Sequence, residues 1–228
     1  MIDRLKRNLA SVRERIETAT VKSGRQANSV RLVGVTKYVD AATTRMLIEA
    51  GCEIVGENRP QVLWDKWAEL SEIKVEWHLI GHLQRNKVKR TIELTSLIHS
   101  IDSVRLLESI NDAGQQLDRV AHVLLEVNVS GESAKHGFAP EEMSAALGVV
   151  ANMPFVVVQG LMCMAGLSGD EHDARREFAS LRELAESLQS QSPDNVQLDE
   201  LSMGMSGDFE LAIAEGATLV RVGSLLFE

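Results

Sequence analysis

The chain has 228 residues, 44% of them hydrophobic, which is enough for one substantial core. Its formal charge of −9 argues against general binding to nucleic acid or to acidic membranes, both of which need a basic surface. No apolar stretch reaches the roughly 20 residues that span a bilayer, and Met1-Ile2-Asp3-Arg4-Leu5-Lys6-Arg7 lacks the apolar core of a signal peptide, so a cytoplasmic protein is expected.

A helix is predicted over 2–23, where Leu5, Leu9, Val12 and Ile16 fall on one side. From there strand-like and helix-like runs alternate. Strands are expected at 32–37, 53–55, 76–81, 97–101, 121–129, 156–162, 198–202 and 218–222. Helical patterns fill the intervals, among them 41–50, 58–71, 103–117, 141–151 and 171–190. Trp64 and Trp67 read as a core-facing stripe or a contact patch, and Arg85-Asn86-Lys87-Val88-Lys89-Arg90 as a solvated helix face. Cys52 and Cys163 lie in apolar surroundings and read as reduced core thiols, not as a disulfide or zinc framework; no metal ligands are assigned. Eight strands alternating with helices predict a (β/α)8 barrel with an extra N-terminal helix, one domain over 1–228. A doubly wound open sheet is the alternative, but it normally carries about five or six strands.

A barrel places its site at the C-terminal ends of its strands, and those ends hold the unusual residues. The first closes Leu32-Val33-Gly34-Val35-Thr36 with Lys37, whose amine, if partly desolvated, becomes a nucleophile toward an aldehyde. A plain surface lysine is the competing reading. The third and fourth strand ends carry His78, His82 and His99, and the fifth Glu126. After the seventh strand comes Ser202-Met203-Gly204-Met205-Ser206-Gly207-Asp208, and after the eighth Arg221-Val222-Gly223-Ser224. These two segments resemble a phosphate cradle of backbone N–H groups and hydroxyls, although serine and glycine are also ordinary loop residues. Arg221 neutralises the phosphate, reaches a ring acceptor, or forms a structural ion pair with Glu126. Aldehyde-trapping lysine, cradle and arginine together fit pyridoxal 5′-phosphate (PLP).

At this point the chain resembles a known family, the pyridoxal-phosphate homeostasis proteins, relatives of the N-terminal barrel of alanine racemase. The resemblance covers nearly the whole chain: Val35-Thr36-Lys37, Gly56-Glu57-Asn58, Trp77 to Lys87, Glu126-Val127-Asn128, Lys135-His136-Gly137-Phe138, Gly160-Leu161-Met162, Leu201 to Asp208 and Arg221-Val222-Gly223. It departs at Met164-Ala165-Gly166, where relatives often carry a more proline-containing stretch. The resemblance implies that Lys37 holds PLP as a Schiff base. It implies that Ser202, Gly223 and Ser224 hold the phosphate with help near Met203 and Ser206, that Arg221 faces the pyridine nitrogen, and that Asn58 lies close by.

Racemisation needs a base on each face of the cofactor. In alanine racemase the second base is a tyrosine brought by a further domain. This chain runs to Leu225-Leu226-Phe227-Glu228 directly after its last strand, and its one tyrosine is Tyr38, beside Lys37. His82 and Cys163 are the other candidates and read better as loop and packing residues. The expectation is therefore a monomeric PLP carrier that buffers or delivers vitamin B6 cofactor, affects amino-acid balance and docks transiently on PLP-dependent apoenzymes. No catalytic residue is assigned. An amino-acid racemase is the alternative, and a PLP-independent phosphate-binding isomerase or aldolase the second.

Overall fold

The computed structural model describes residues 1–132, 136–166 and 170–228. The periodic apolar stripe of the N-terminal segment folds as helix α1 (Ile2–Lys22), with Leu5, Leu9, Val12 and Ile16 all buried. Eight strands follow: β1 (Arg31–Val35), β2 (Ile54–Glu57), β3 (Glu76–Leu79), β4 (Leu97–Ile101), β5 (Ala121–Glu126), β6 (Val156–Met162), β7 (Val196–Ser202) and β8 (Leu219–Val222). Each pairs in parallel with the next, and β8 pairs with β1, so the sheet closes into the expected barrel and not an open sheet.

The intervening helices are α2 (Ala41–Glu49), α3 (Pro60–Glu69), α4 (Val88–Leu94), α5 (Val104–Leu117), α6 (Met143–Val150), α7 (Glu171–Gln189) and α8 (Phe209–Ala214), and α9 (Ser224–Phe227) follows the last strand. Local chemistry sets their starts. Pro60 occupies the first turn of α3, where its missing N–H costs nothing, and Asp170 accepts from the N–H groups of His172 and Asp173 at 2.9 Å each to open α7. The outermost helix α1 packs against α2, α8 and α9, and Asn8 Nδ2 donates to Leu226 O across that contact at 3.1 Å.

Two cores result. The larger lies between the barrel and its helices and takes in both cysteines; the smaller fills the barrel with Val33, Ile54, Leu97, Leu124, Met162 and Leu219. The pleat sorts them: on β1, Val33 faces the interior, whereas a Cβ on Gly34 would lie 2.7 Å from Cys52 Sγ on the helix side. Trp64 and Trp67 pack against the larger core, and Arg90 stacks over the Trp64 ring at 4.8 Å. No helix among the described residues is long and apolar enough to cross a membrane.

Strands β1, β3 and β5 end earlier than the sequence pattern predicts. A single bond carries each of the first two one residue further, Thr36 N–H to Gly56 O at 3.0 Å and Ile80 N–H to Glu57 O at 2.9 Å, before the chain turns. Beyond β5, Val127 N–H still bonds Met162 O of β6 at 2.8 Å, and Val127 bridges to Phe138. The residues past these ends, Lys37 among them, belong to the mouth of the barrel.

Candidate functional site

Lys37 follows β1 by two residues and is exposed, its Nζ 4.9 Å from the centre of the Tyr38 ring. The sequence expectation of a desolvated amine is not met; the lysine reaches into open mouth. What is buried is the support behind it. Thr36 Oγ1 donates to Glu57 Oε1 at 2.6 Å, and Lys66 Nζ from α3 donates to the same carboxylate oxygen at 2.5 Å and to Thr36 O at 2.8 Å. Glu57 is fully buried and Lys66 nearly so. This knot ties the end of β1, which carries Lys37, to the end of β2, which carries Asn58. Asn58 is half-buried, and its backbone is pressed against Gly81: a Cβ there would lie 2.3 Å from Asn58 O.

Arg221 lies inside the barrel on β8, two residues after the inward-facing Leu219. It is 4% exposed, and burial lowers its pKa from the usual arginine value. Nη1 donates to Ser202 O at 2.8 Å and Ser202 Oγ at 2.7 Å, and Nη2 donates to Cys163 O at 3.0 Å. All three acceptors are neutral, so the ion pair with Glu126 is not what holds it. Of the five N–H groups of a guanidinium, the Nε–H and one on Nη2 have no acceptor among the described residues.

Below Arg221 a polar chain runs through the barrel. Ser202 Oγ lies 2.8 Å from His99 Nδ1, His99 Nε2 lies 2.9 Å from His78 Nδ1, and His78 Nε2 is 3.6 Å from the exposed Glu76 carboxylate. Desolvation lowers the pKa of His78 and lowers that of His99 well below the ordinary value, so both are neutral rings. Since Ser202 already accepts from Arg221, one proton order fits every partner: Ser202 O–H donates to His99, His99 Nε2–H to His78, and His78 Nε2–H points at Glu76.

The cradle forms where β7 and β8 end. Ser206 Oγ accepts from Gly223 N–H at 3.2 Å, and Ser224 is exposed at the start of α9. Gly204, with φ +87, turns the chain between Ser202 and Ser206, and its carbonyl accepts from Arg221 N–H at 3.0 Å. Gly223 lies against β1: a Cβ would be 3.4 Å from Val35 Cβ. Lys37, Asn58, Ser206, Arg221, Gly223 and Ser224 thus share one arc of the mouth, on the contiguous strands β2, β1, β8 and β7. Ser202 and Met203 do not line it. Both are fully buried: Ser202 points into the barrel beneath Arg221, and Met203, with its N–H bonded to Leu219 O at 3.1 Å, packs in the core between the barrel and its helices.

Sequence reasoning gave no role to Glu57, Lys66, His78 or His99. The two histidines stand at the predicted third and fourth strands, but nothing in the sequence says that their rings meet. Cys163 contributes its carbonyl, and its side chain is buried; burial likewise pushes the Cys52 thiol up to about 11. His82 lies exposed at the mouth, 3.0 Å from Asp102 Oδ2. Glu126 is buried there, with its carboxyl pKa raised by burial and then by the Asp102 charge. Lys135 lies outside the described residues.

Over residues 1–228 the chain matches the family described as alanine racemase, N-terminal domain. It is 42% identical over 219 residues to a pyridoxal phosphate homeostasis protein of Aquifex aeolicus, covering 96% of this chain and 95% of the relative. It is 38% identical over 220 residues to a protein of the same name in Pseudomonas aeruginosa, with 96% and 93% covered. The solved structure of PipY from Synechococcus elongatus with PLP bound superposes with a TM-score of 0.86 at 36% identity, covering 98% of this chain and all of PipY. With identities of this size over nearly their full length, the chain belongs to the alanine racemase N-terminal domain family and, within it, to the pyridoxal phosphate homeostasis proteins.

Proposed function

We propose that this protein binds pyridoxal 5′-phosphate and serves intracellular PLP homeostasis, capturing the cofactor reversibly on Lys37 and releasing it to PLP-dependent apoenzymes. The observation that carries the reading is Arg221. A buried guanidinium held by neutral oxygens, with two N–H groups left over, fits a ring-nitrogen acceptor that brings no charge of its own. The neighbouring cradle fits a phosphate: Ser206, whose Oγ accepts from Gly223 N–H, and the exposed Ser224 at the start of α9 lie at the ends of β7 and β8. Lys37, with no carboxylate partner among the described residues, supplies the amine. The name of the Aquifex relative and the PLP in PipY support the same ligand.

When bound, PLP supplies an aldehyde for reversible condensation with an amine and a ring that withdraws electrons from it. Lys37 Nζ would supply the amine for that condensation, in which water is lost. Arg221 has donors only and stays protonated, so it keeps the ring nitrogen in its unprotonated form, the weaker electron sink. Ser202 fixes the guanidinium, and the knot of Thr36, Glu57 and Lys66 fixes the strand end that presents Lys37.

Carriage is favoured over turnover. Racemisation needs acid-base groups on both faces of the cofactor. The single tyrosine, Tyr38, is 89% exposed and beside Lys37, so it shares that residue's side of the site. We take the working form to be a cytoplasmic monomer with no nucleic-acid or membrane partner.

The test is the visible absorbance of the purified protein with PLP, before and after borohydride, for wild type and Lys37→Ala. An absorbance band lost on reduction, with the pyridoxyl mass on the Lys37 peptide, supports the reading. A colourless protein that takes up no added PLP refutes it and leaves a phosphate-binding isomerase or aldolase. Rapid exchange of an amino acid's α-proton in deuterated buffer, abolished by Lys37→Ala, makes the protein a racemase-type enzyme instead of a carrier.

A further inference from the structure

Three metal-ligating side chains meet on the other side of the mouth, after β3, β4 and β5. His82 Nδ1 lies 3.0 Å from Asp102 Oδ2, and His136 Nδ1 lies 3.9 Å from the same oxygen. The two imidazoles stack with centroids 4.8 Å apart and 23° between planes. One ligand atom from each of the three residues falls within 4.8 Å of the others.

An ordinary surface arrangement accounts for only part of this. His82 and Asp102 make a hydrogen bond, but His136 is too distant to share it, and two exposed rings gain little from stacking in water. What the three residues do supply is a convergent set of donors. Asp102 is the fixed member: its side chain is only 12% exposed, and its second oxygen accepts from Ser103 Oγ at 3.1 Å, the outer contact that orients a ligating carboxylate. The charge balance points the same way. Burial and then the Asp102 charge disfavour ionisation of the neighbouring Glu126 carboxyl, and a cation at Asp102 offsets that charge.

We propose that His82, Asp102 and His136 bind one divalent ion of the zinc class. Two imidazole nitrogens and one carboxylate suit Zn2+ or Co2+, whereas Mg2+ and Ca2+ favour all-oxygen shells. Bonds of about 2.0–2.2 Å require the donors to draw closer together, which rotation of the exposed histidine rings achieves without moving the backbone. The ion takes the place of the hydrogen bond between His82 Nδ1 and Asp102, and the single N–H of the neutral ring then resides on Nε2. Three protein ligands leave a fourth position for water, as in open zinc sites. The site shares no residue with the Lys37 arc, so the proposal stands or falls independently of the PLP reading.

The experiment is Co2+ titration of the full chain, stripped of metal and free of PLP, followed by visible absorbance, with Zn2+ binding measured by calorimetry. Wild type should bind one equivalent and show the d–d bands of a low-coordinate Co2+ site. His82→Ala, His136→Ala and Asp102→Asn should each weaken binding by at least about 100-fold while circular dichroism stays unchanged. His172→Ala, an exposed histidine on α7, should bind like wild type. No saturable binding by wild type, or binding that survives both His82→Ala and His136→Ala, overturns the proposal.

Discussion

The hydroxyl of Ser202 accepts a hydrogen bond from Arg221 Nη1 at 2.7 Å, and its remaining proton is directed to His99 Nδ1 at 2.8 Å. The serine read from sequence as a phosphate ligand therefore acts as the seat of the arginine. Ser202→Ala removes an acceptor from a buried cation and a donor from a buried imidazole. A stability loss of about 1–3 kcal/mol is expected in urea denaturation. PLP affinity should fall by about tenfold, the equivalent of about 1.4 kcal/mol. The cofactor should still be trapped on Lys37 by borohydride, because the capturing amine is untouched.

His78 and His99 make stability depend on pH. Their folded-state pKa values lie below the ordinary histidine value of 6.5, so between that value and the folded ones the unfolded chain binds more protons. Stability therefore rises with pH in that window and is lost as pH falls below 6.5. Glu126 acts in the opposite sense: its raised pKa makes its contribution fall as pH rises above 4.5. Denaturation midpoints measured from pH 7 to pH 5 should drop for wild type. His99→Gln, which cannot titrate, should flatten the slope by up to about 1.4 kcal/mol per pH unit.

The buried pair of Lys66 and Glu57 should be costly to break and cheap to delete. Glu57 Oε2 has no hydrogen-bond partner among the described residues, so the carboxylate depends on Lys66 and Thr36 acting on its other oxygen. Lys66→Met leaves an uncompensated buried charge, and about 3–5 kcal/mol of stability should go with it. The double variant Lys66→Met, Glu57→Met should recover most of that loss, since a well-packed apolar pair replaces the ions. If the pair also positions Lys37, both variants should slow PLP capture, which stopped-flow absorbance would read.

The barrel was legible because each strand is a short apolar run and each helix an amphipathic one, two periods that do not depend on distant residues. The position of Lys37 followed from the same pattern, as the first charged residue after β1 at the mouth. What stayed hidden depends on closure of the sheet. His78 and His99 are 21 residues apart in the chain, yet their rings hydrogen-bond because β3 and β4 are neighbours with both side chains turned inward. The same holds for Lys66, which reaches Thr36 across 30 residues of sequence. Ser202 and Ser206 look alike in a Ser-Met-Gly-Met-Ser stretch. Only the pleat and the turn at Gly204 send one beneath Arg221 and the other to the cradle.

That turn offers the sharpest mutational test of the cradle. Gly204 has φ +87, a conformation that side chains with a Cβ rarely adopt, and a Cβ there would meet Ala212 Cβ at 2.6 Å and Phe209 Cα at 2.9 Å. Gly204→Ala therefore strains the backbone and pushes α8 away from the strand ends. The strain should cost about 1–3 kcal/mol of stability. The carbonyl that receives Arg221 N–H moves with it, and so does Ser206, the partner of Gly223. Affinity for PLP and for inorganic phosphate should fall together, because both use the cradle. Pyridoxal lacks the phosphate, and its capture by Lys37 should change little. Equal losses for pyridoxal and PLP, measured by absorbance titration, would place the phosphate elsewhere on the mouth.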